Sequence, residues 1–164
     1  MKASRLKDKP VVSMADGAQV GTVKELLFDT ADLRLTALLL RATSGESTLP
    51  FGSIGSIGSD AVMIERAADT AGAQGQAALD TTRGLDDLMS LSAVNVAGTL
   101  LGKVSELEID EQDGRLTKLE VHRGGVLGIG GTTVTILPSA IRSIGPKLIT
   151  VDLPADASEK LPSP

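Results

Sequence analysis

Apolar and polar positions alternate along Leu101-Gly-Lys-Val-Ser-Glu-Leu-Glu-Ile-Asp110 and again along Arg115–Val121, with Gln112-Asp113-Gly114 between them. A period of two on both sides of a Gly-containing turn predicts a long β-hairpin. The same pattern occurs earlier, from Val20 to Leu40 around Thr30-Ala31-Asp32. Gly21 and Gly102 are 81 residues apart, as are Val23 and Val104, Leu26 and Leu107, Asp29 and Asp110, Arg34 and Arg115, and Leu38 and Leu119. A constant offset through a whole hairpin is an internal repeat. In the first copy the alternation places Val20, Thr22, Lys24, Leu26 and Phe28 on one face and Gly21, Val23, Glu25, Leu27 and Asp29 on the other. It is imperfect, as expected where a small barrel strand bends.

Further short strands are expected at Val11-Val12, Thr48–Pro50 and Ala61–Ile64, with an irregular or 3-10 corner over Phe51–Ile57. Their second-copy counterparts are Val94–Val96, Thr132–Leu137 and Lys147–Val151, and Pro138–Ile141 echoes Pro50–Ile54. Helical turns are expected over Leu6–Pro10 and Leu85–Leu91. The offset grows to 88 at Pro50 and Pro138, so seven additional residues fall in the loop Gly124–Gly131. Short strands separated by Gly and Asp turns predict an all-β fold of two small β-barrels in tandem, with short helical corners. The expected organisation is unit 1 over 1–66, an Ala/Gly/Gln-rich linker over 67–84, unit 2 over 85–153, and a Pro-rich disordered tail over 154–164.

Composition narrows the function. The chain has 164 residues, 41% of them hydrophobic, and a net charge of −5. An acidic chain lacks the basic patch a nucleic-acid binder needs, so no nucleic-acid partner is expected. Phe28 and Phe51 are the only aromatic residues, so Leu, Val, Ile and Ala must build the core. There is no Cys, which excludes disulfides, thiolate metal sites and thiol nucleophiles. No apolar run reaches the length of a membrane span, and no signal segment is visible, so a cytoplasmic protein is expected.

The residues Gly21, Val23, Glu25, Leu26, Phe28, Asp29, Pro50 and Ile54 follow a recognisable order. So do Gly102, Val104, Glu106, Leu107, Ile109, Asp110, Pro138 and Ile141, together with the Gly-rich loop 124–131. This order resembles the PRC-barrel domain family. That family includes the cytoplasmic domain of the photosynthetic reaction-centre H subunit and the C-terminal domain of a ribosome maturation factor. The resemblance implies two PRC-type barrels and a role in ribosome assembly, membrane-complex assembly or stress, among which the sequence does not choose. The chain lacks the membrane helix of the first relative and the separate N-terminal domain of the second, so neither specific role transfers.

Catalytic chemistry is sparse. His122 is the sole histidine, and with no Cys it cannot complete a Ser-His-Asp, Cys-His or multi-His zinc site. It reads as a solvated rim residue, with a pH switch or ligand as the alternative. Asp110-Glu-Gln-Asp113-Gly114 lacks the closing acid of a calcium loop, since Val121 stands at the twelfth position. Asp29 and Asp110 are expected to cap turn N–H groups. No enzyme activity, cofactor or metal is expected.

The repeats differ on one face. Leu27, Ala37 and Leu39 correspond to Glu108, Lys118 and Glu120. One unit is apolar where the other is charged, and Glu108 can pair with Lys118 across its hairpin. The apolar face either packs on the second unit or on another copy of the chain, or docks a different protein. The interface candidates are therefore Leu27, Ala37 and Leu39, with Val126, Leu127 and Ile129 at the Gly-rich loop. The expected function is a non-catalytic protein–protein interaction or assembly module, with a protein partner or a homo-oligomer. A small-molecule- or metal-responsive regulator is the alternative.

Overall fold

The computed structural model describes residues 1–72, 81–124 and 131–153. The loop residues Val126, Leu127 and Ile129 and the tail lie outside them. The chain divides into two compact units, Met1–Leu85 with Ile109–Arg115, and Asp86–Glu108 with Leu116–Pro164.

In the first unit the strands are β1 (Pro10–Ser13), β2 (Gln19–Asp29), β3 (Arg34–Ala42), β4 (Gly45–Pro50), β5 (Ile54–Ile57), β6 (Val62–Ile64), β7 (Ala71–Gly72) and β8 (Thr82–Gly84). They run in the order β5-β6-β1-β2-β3-β4-β7, with β8 also paired to β2. In the second unit a helical turn, α1 (Leu85–Met89), leads into β9 (Ser92–Asn95), β10 (Leu100–Ile109), β11 (Leu116–Arg123), β12 (Thr132–Ile136), β13 (Ile141–Ile144) and β14 (Leu148–Val151). Their order is β12-β11-β10-β9-β14-β13.

The two orders are the same path. β1 pairs with β6 in parallel, and β9 pairs with β14 in parallel. The cores correspond residue by residue. Val23, Leu26, Phe28, Leu35, Leu38 and Leu40 are buried, and so are Val104, Leu107, Ile109, Leu116, Leu119 and Val121. Leu6, in a 3-10 turn at Ala3–Leu6, and Leu88 in α1 are buried equivalents. That first turn lies N-terminal to the Leu6–Pro10 position expected from sequence, because Pro10 already opens β1. Burial of these aliphatic side chains, about 1.5–3 kcal/mol each, is the main stabilising term in an almost aromatic-free chain.

Two features depart from the sequence pattern. First, β2 does not keep one face. Gly21 and Val23 point inward, and then Leu26 and Phe28 do. The register against β3 shifts between Val23 and Glu25, where a β-bulge moves the inward face by one residue. Lys24 therefore does not share an inward face with Leu26. Second, the corner expected over Phe51–Ile57 is a 3-10 turn only at Phe51–Ser53, after which Ile54–Ile57 pairs with β6.

Within 67–84, where composition suggests linker, the described residues carry ordered structure. A 3-10 turn spans Ala67–Asp69. Ala71 and Gly72 pair with Thr48 and Ser47, and Thr82, Arg83 and Gly84 pair with Asp29, Phe28 and Leu27.

Candidate functional site

Three local devices recur in both repeats and fix the hairpins from which any surface is built. At the bulge in β2, Glu25 Oε1 accepts the N–H of Leu26 at 2.8 Å, and at the equivalent place in the second repeat Glu106 Oε1 accepts that of Leu107 at 3.0 Å. Glu25 Oε1 also accepts the N–H of Leu85 at 3.1 Å. At the turns, Asp29 Oδ1 accepts the N–H of Ala31 at 2.9 Å, and Asp110 Oδ1 that of Gln112 at 2.7 Å. The turn bond to Ala31, against an opposing effect of burial and with Thr81 and Asp32 adding to it, holds the Asp29 carboxyl below its ordinary value. Finally, the Thr36 and Thr117 hydroxyls donate to the carbonyls of Leu27 and Glu108, at 3.0 and 3.1 Å. The paired aspartates are therefore turn caps, in agreement with the sequence pattern, and their carboxylates are engaged with backbone.

His122 is half-buried, with Nδ1 3.2 Å from Thr133 Oγ1. Among the described residues no group of three or more His, Asp or Glu side chains is placed to hold a metal ion. Among them, too, no helix is long and apolar enough to cross a membrane.

Leu27, Ala37 and Leu39 come together on the β2–β3 ladder, where Leu27 pairs with Ala37 and Leu39 with Glu25. Ala37 is fully buried within the chain, and Leu27 and Leu39 are half-buried. β8 runs along the other side of Leu27. On the second hairpin Lys118 Nζ lies 4.0 Å from Glu108 Oε2, a loose cross-strand ion pair on a face that stays in water.

The large apolar side chains left in solvent are elsewhere. Val96, Leu100, Leu137 and Leu148 are exposed in the second unit, and Met14 in the first. Leu100 and Leu148 belong to one sheet face. Leu100 pairs with Val94 on β9, and Val94 pairs with Thr150 on β14. Leu148 pairs with Ser92, two residues before Val94 and on the same side of the strand. Inward burial of Ala93, Asn95, Ile149 and Val151 leaves Ser92, Val94, Leu148 and Thr150 facing outward. Val96, the first residue of the turn after β9, is also exposed. The corresponding face of the first unit carries Gln19, Val12, Met63 and Ala61. Gln19 stands where the second unit has Leu100, and Ala61 where it has Leu148. The repeat comparison could have found these two positions, because the second copy is the more apolar at both.

The path of strands, the bulge glutamate, the turn aspartate and the 3-10 corner before β5 and β13 define a duplicated small β-barrel. Comparison with protein families matches the PRC-barrel domain twice, over residues 1–71 and 80–158. The chain belongs to the PRC-barrel family, as two domains in tandem. No curated protein matches it by sequence.

Proposed function

We propose that this tandem PRC-barrel chain is a non-catalytic interaction module that helps assemble a larger protein complex. The observation that carries the reading is the outward face of β9, β10 and β14, where Leu100 is 50% and Leu148 46% exposed beside Val94. Large aliphatic side chains grouped on one strand face suit burial against a partner, and such contacts depend on a few anchors more than on total area. Leu27 and Leu39 are a second pair of candidate anchors, though being half-buried they have less area to offer. The sequence supports the absence of catalysis, since one histidine and no cysteine leave no conventional nucleophile–base pair.

The test is affinity capture from the native host with mass spectrometry, using wild type, Leu100→Glu plus Leu148→Glu, and Leu27→Glu plus Leu39→Glu. A stoichiometric partner retained by wild type and lost with the Leu100/Leu148 variant is the expected result. Loss only with the Leu27/Leu39 variant, if that protein keeps its circular dichroism spectrum and melting temperature, would move the interface to the β2–β3 ladder. Recovery of the bait alone, with an oligomeric mass, would assign the face to self-association.

A further inference from the structure

We propose that Arg34 and Arg115 form a binding site for an oxyanion of the phosphate or carboxylate class. This inference is independent of the assembly reading. The two arginines occupy equivalent places in the repeats, and they face each other in an antiparallel bridge within the first compact unit. The neighbouring bond from Leu35 N–H to the Gly114 carbonyl, 2.8 Å, fixes that register. Residues directly opposite on antiparallel strands project to the same side with Cβ atoms roughly 4.5–5.5 Å apart, and like charges so placed repel.

Among the described residues that repulsion is only partly offset. Arg34 Nε is buried and has no hydrogen-bond partner. A buried cationic donor left without an acceptor is costly and calls for a ligand or water. The nearby carboxylates are largely committed to backbone. Asp29, paired to Arg34 across β2–β3, accepts the Ala31 N–H. Asp113 accepts the Arg115 N–H at 2.9 Å. Its other oxygen is 3.7 Å from Arg115 Nε, too long for a hydrogen bond, and the Arg115 side chain is 65% exposed. Asp32 lies exposed in the preceding turn, and no ion pair joins it to Arg34. An oxyanion with two or more oxygens satisfies both deficits. It accepts from the orphaned Nε–H, bridges to the second guanidinium, and places negative charge where two positive charges meet.

The test follows the Arg34 Nε–H resonance by NMR while inorganic phosphate is titrated at constant ionic strength, with chloride as control and acetate as a second arm. A saturable shift with phosphate or acetate, absent with chloride, is expected. Response to phosphate alone assigns the phosphate class, and equal response to acetate assigns carboxylate recognition. Arg115→Gln, at an exposed position, should weaken binding on the order of tenfold without altering the fold. Arg34→Lys, which keeps the charge and loses the fork, should abolish the anion-dependent rise in melting temperature. A shift that never saturates, that chloride reproduces, or that survives Arg115→Gln unchanged would overturn the site.

Discussion

The carboxylate of Glu106 closes a hydrogen bond to the backbone N–H of the very next residue, Leu107. The equivalent bond in the first unit lies at a bulge, where the ladder skips a partner and leaves an N–H exposed to loss. Glu106 is only 8% exposed, so the acceptor is supplied in a place with little access for water. The Glu-Leu pair of the repeat is thus a structural device.

Removing that acceptor should cost stability directly. Glu106→Ala is expected to lose about 1–3 kcal/mol, with Glu106→Gln losing less because the amide oxygen still accepts. Glu25→Ala should cost at least as much, since its carboxylate serves both Leu26 and Leu85. Urea unfolding curves of the four proteins would decide it, and equal midpoints would contradict the assignment.

Gly102 has a φ of +145°, and a Cβ there would lie 2.4 Å from the His122 carbonyl oxygen. Gly102→Ala combines a strained backbone with a backbone collision, for an expected loss of about 2–4 kcal/mol. Gly21 is the equivalent residue in the first unit, with the nearest contact at 3.1 Å and an ordinary φ. Gly21→Ala should cost about 1 kcal/mol. Thermal melts of both variants test the asymmetry.

The depressed Asp29 carboxyl makes a prediction for acid. Because its folded value lies below the ordinary 3.8, its contribution is full above that value and is lost as pH falls through the folded one. Asp29→Asn keeps an acceptor for Ala31 and removes the titration. Stability measured from pH 7 down to pH 2 should fall less steeply for the variant over the last two units. Parallel curves would remove Asp29 from the acid response.

Asn95 is 3% exposed, and its Oδ1 accepts the N–H groups of Ala97 at 3.0 Å and Thr99 at 2.9 Å. Asn95→Ala leaves both donors without that acceptor and should cost about 1–3 kcal/mol, while Asn95→Asp should restore most of it. Guanidinium unfolding would distinguish the two.

Much of this fold was legible because side-chain burial leaves a periodic trace. Val23 and Val104, Leu26 and Leu107, and Leu38 and Leu119 announced a duplicated hairpin, and each pair is buried. That the alternation is imperfect was also visible, but the break at Lys24-Glu25, a bulge satisfied by the adjacent carboxylate, involves backbone geometry that periodicity does not encode. β8 was illegible for the same reason. Thr82-Arg83-Gly84 has no alternating pattern, and it is a strand because its backbone meets an open stretch of β2 more than fifty residues earlier. Exposure was the harder inference. Ala37, an interface candidate from the repeat comparison, is buried, while Leu100 and Leu148, which the pattern did not single out, lie in solvent. The opposition of Arg34 and Arg115 needed the register of a bridge between residues 81 positions apart.

The parallel pairing of β1 with β6, and of β9 with β14, has an evolutionary side. Val11 lies beside Val62 and Ser13 beside Ile64, so the thread enters and leaves each barrel within the length of one short strand, roughly 10 Å. A domain whose ends adjoin can be copied head to tail, or spliced into a loop of an unrelated host, without its own strands being pulled apart. Duplication is then topologically cheap. Once two copies exist, substitutions such as Gln19 against Leu100, or Leu27 against Glu108, let one copy acquire a surface that the other never had to sacrifice.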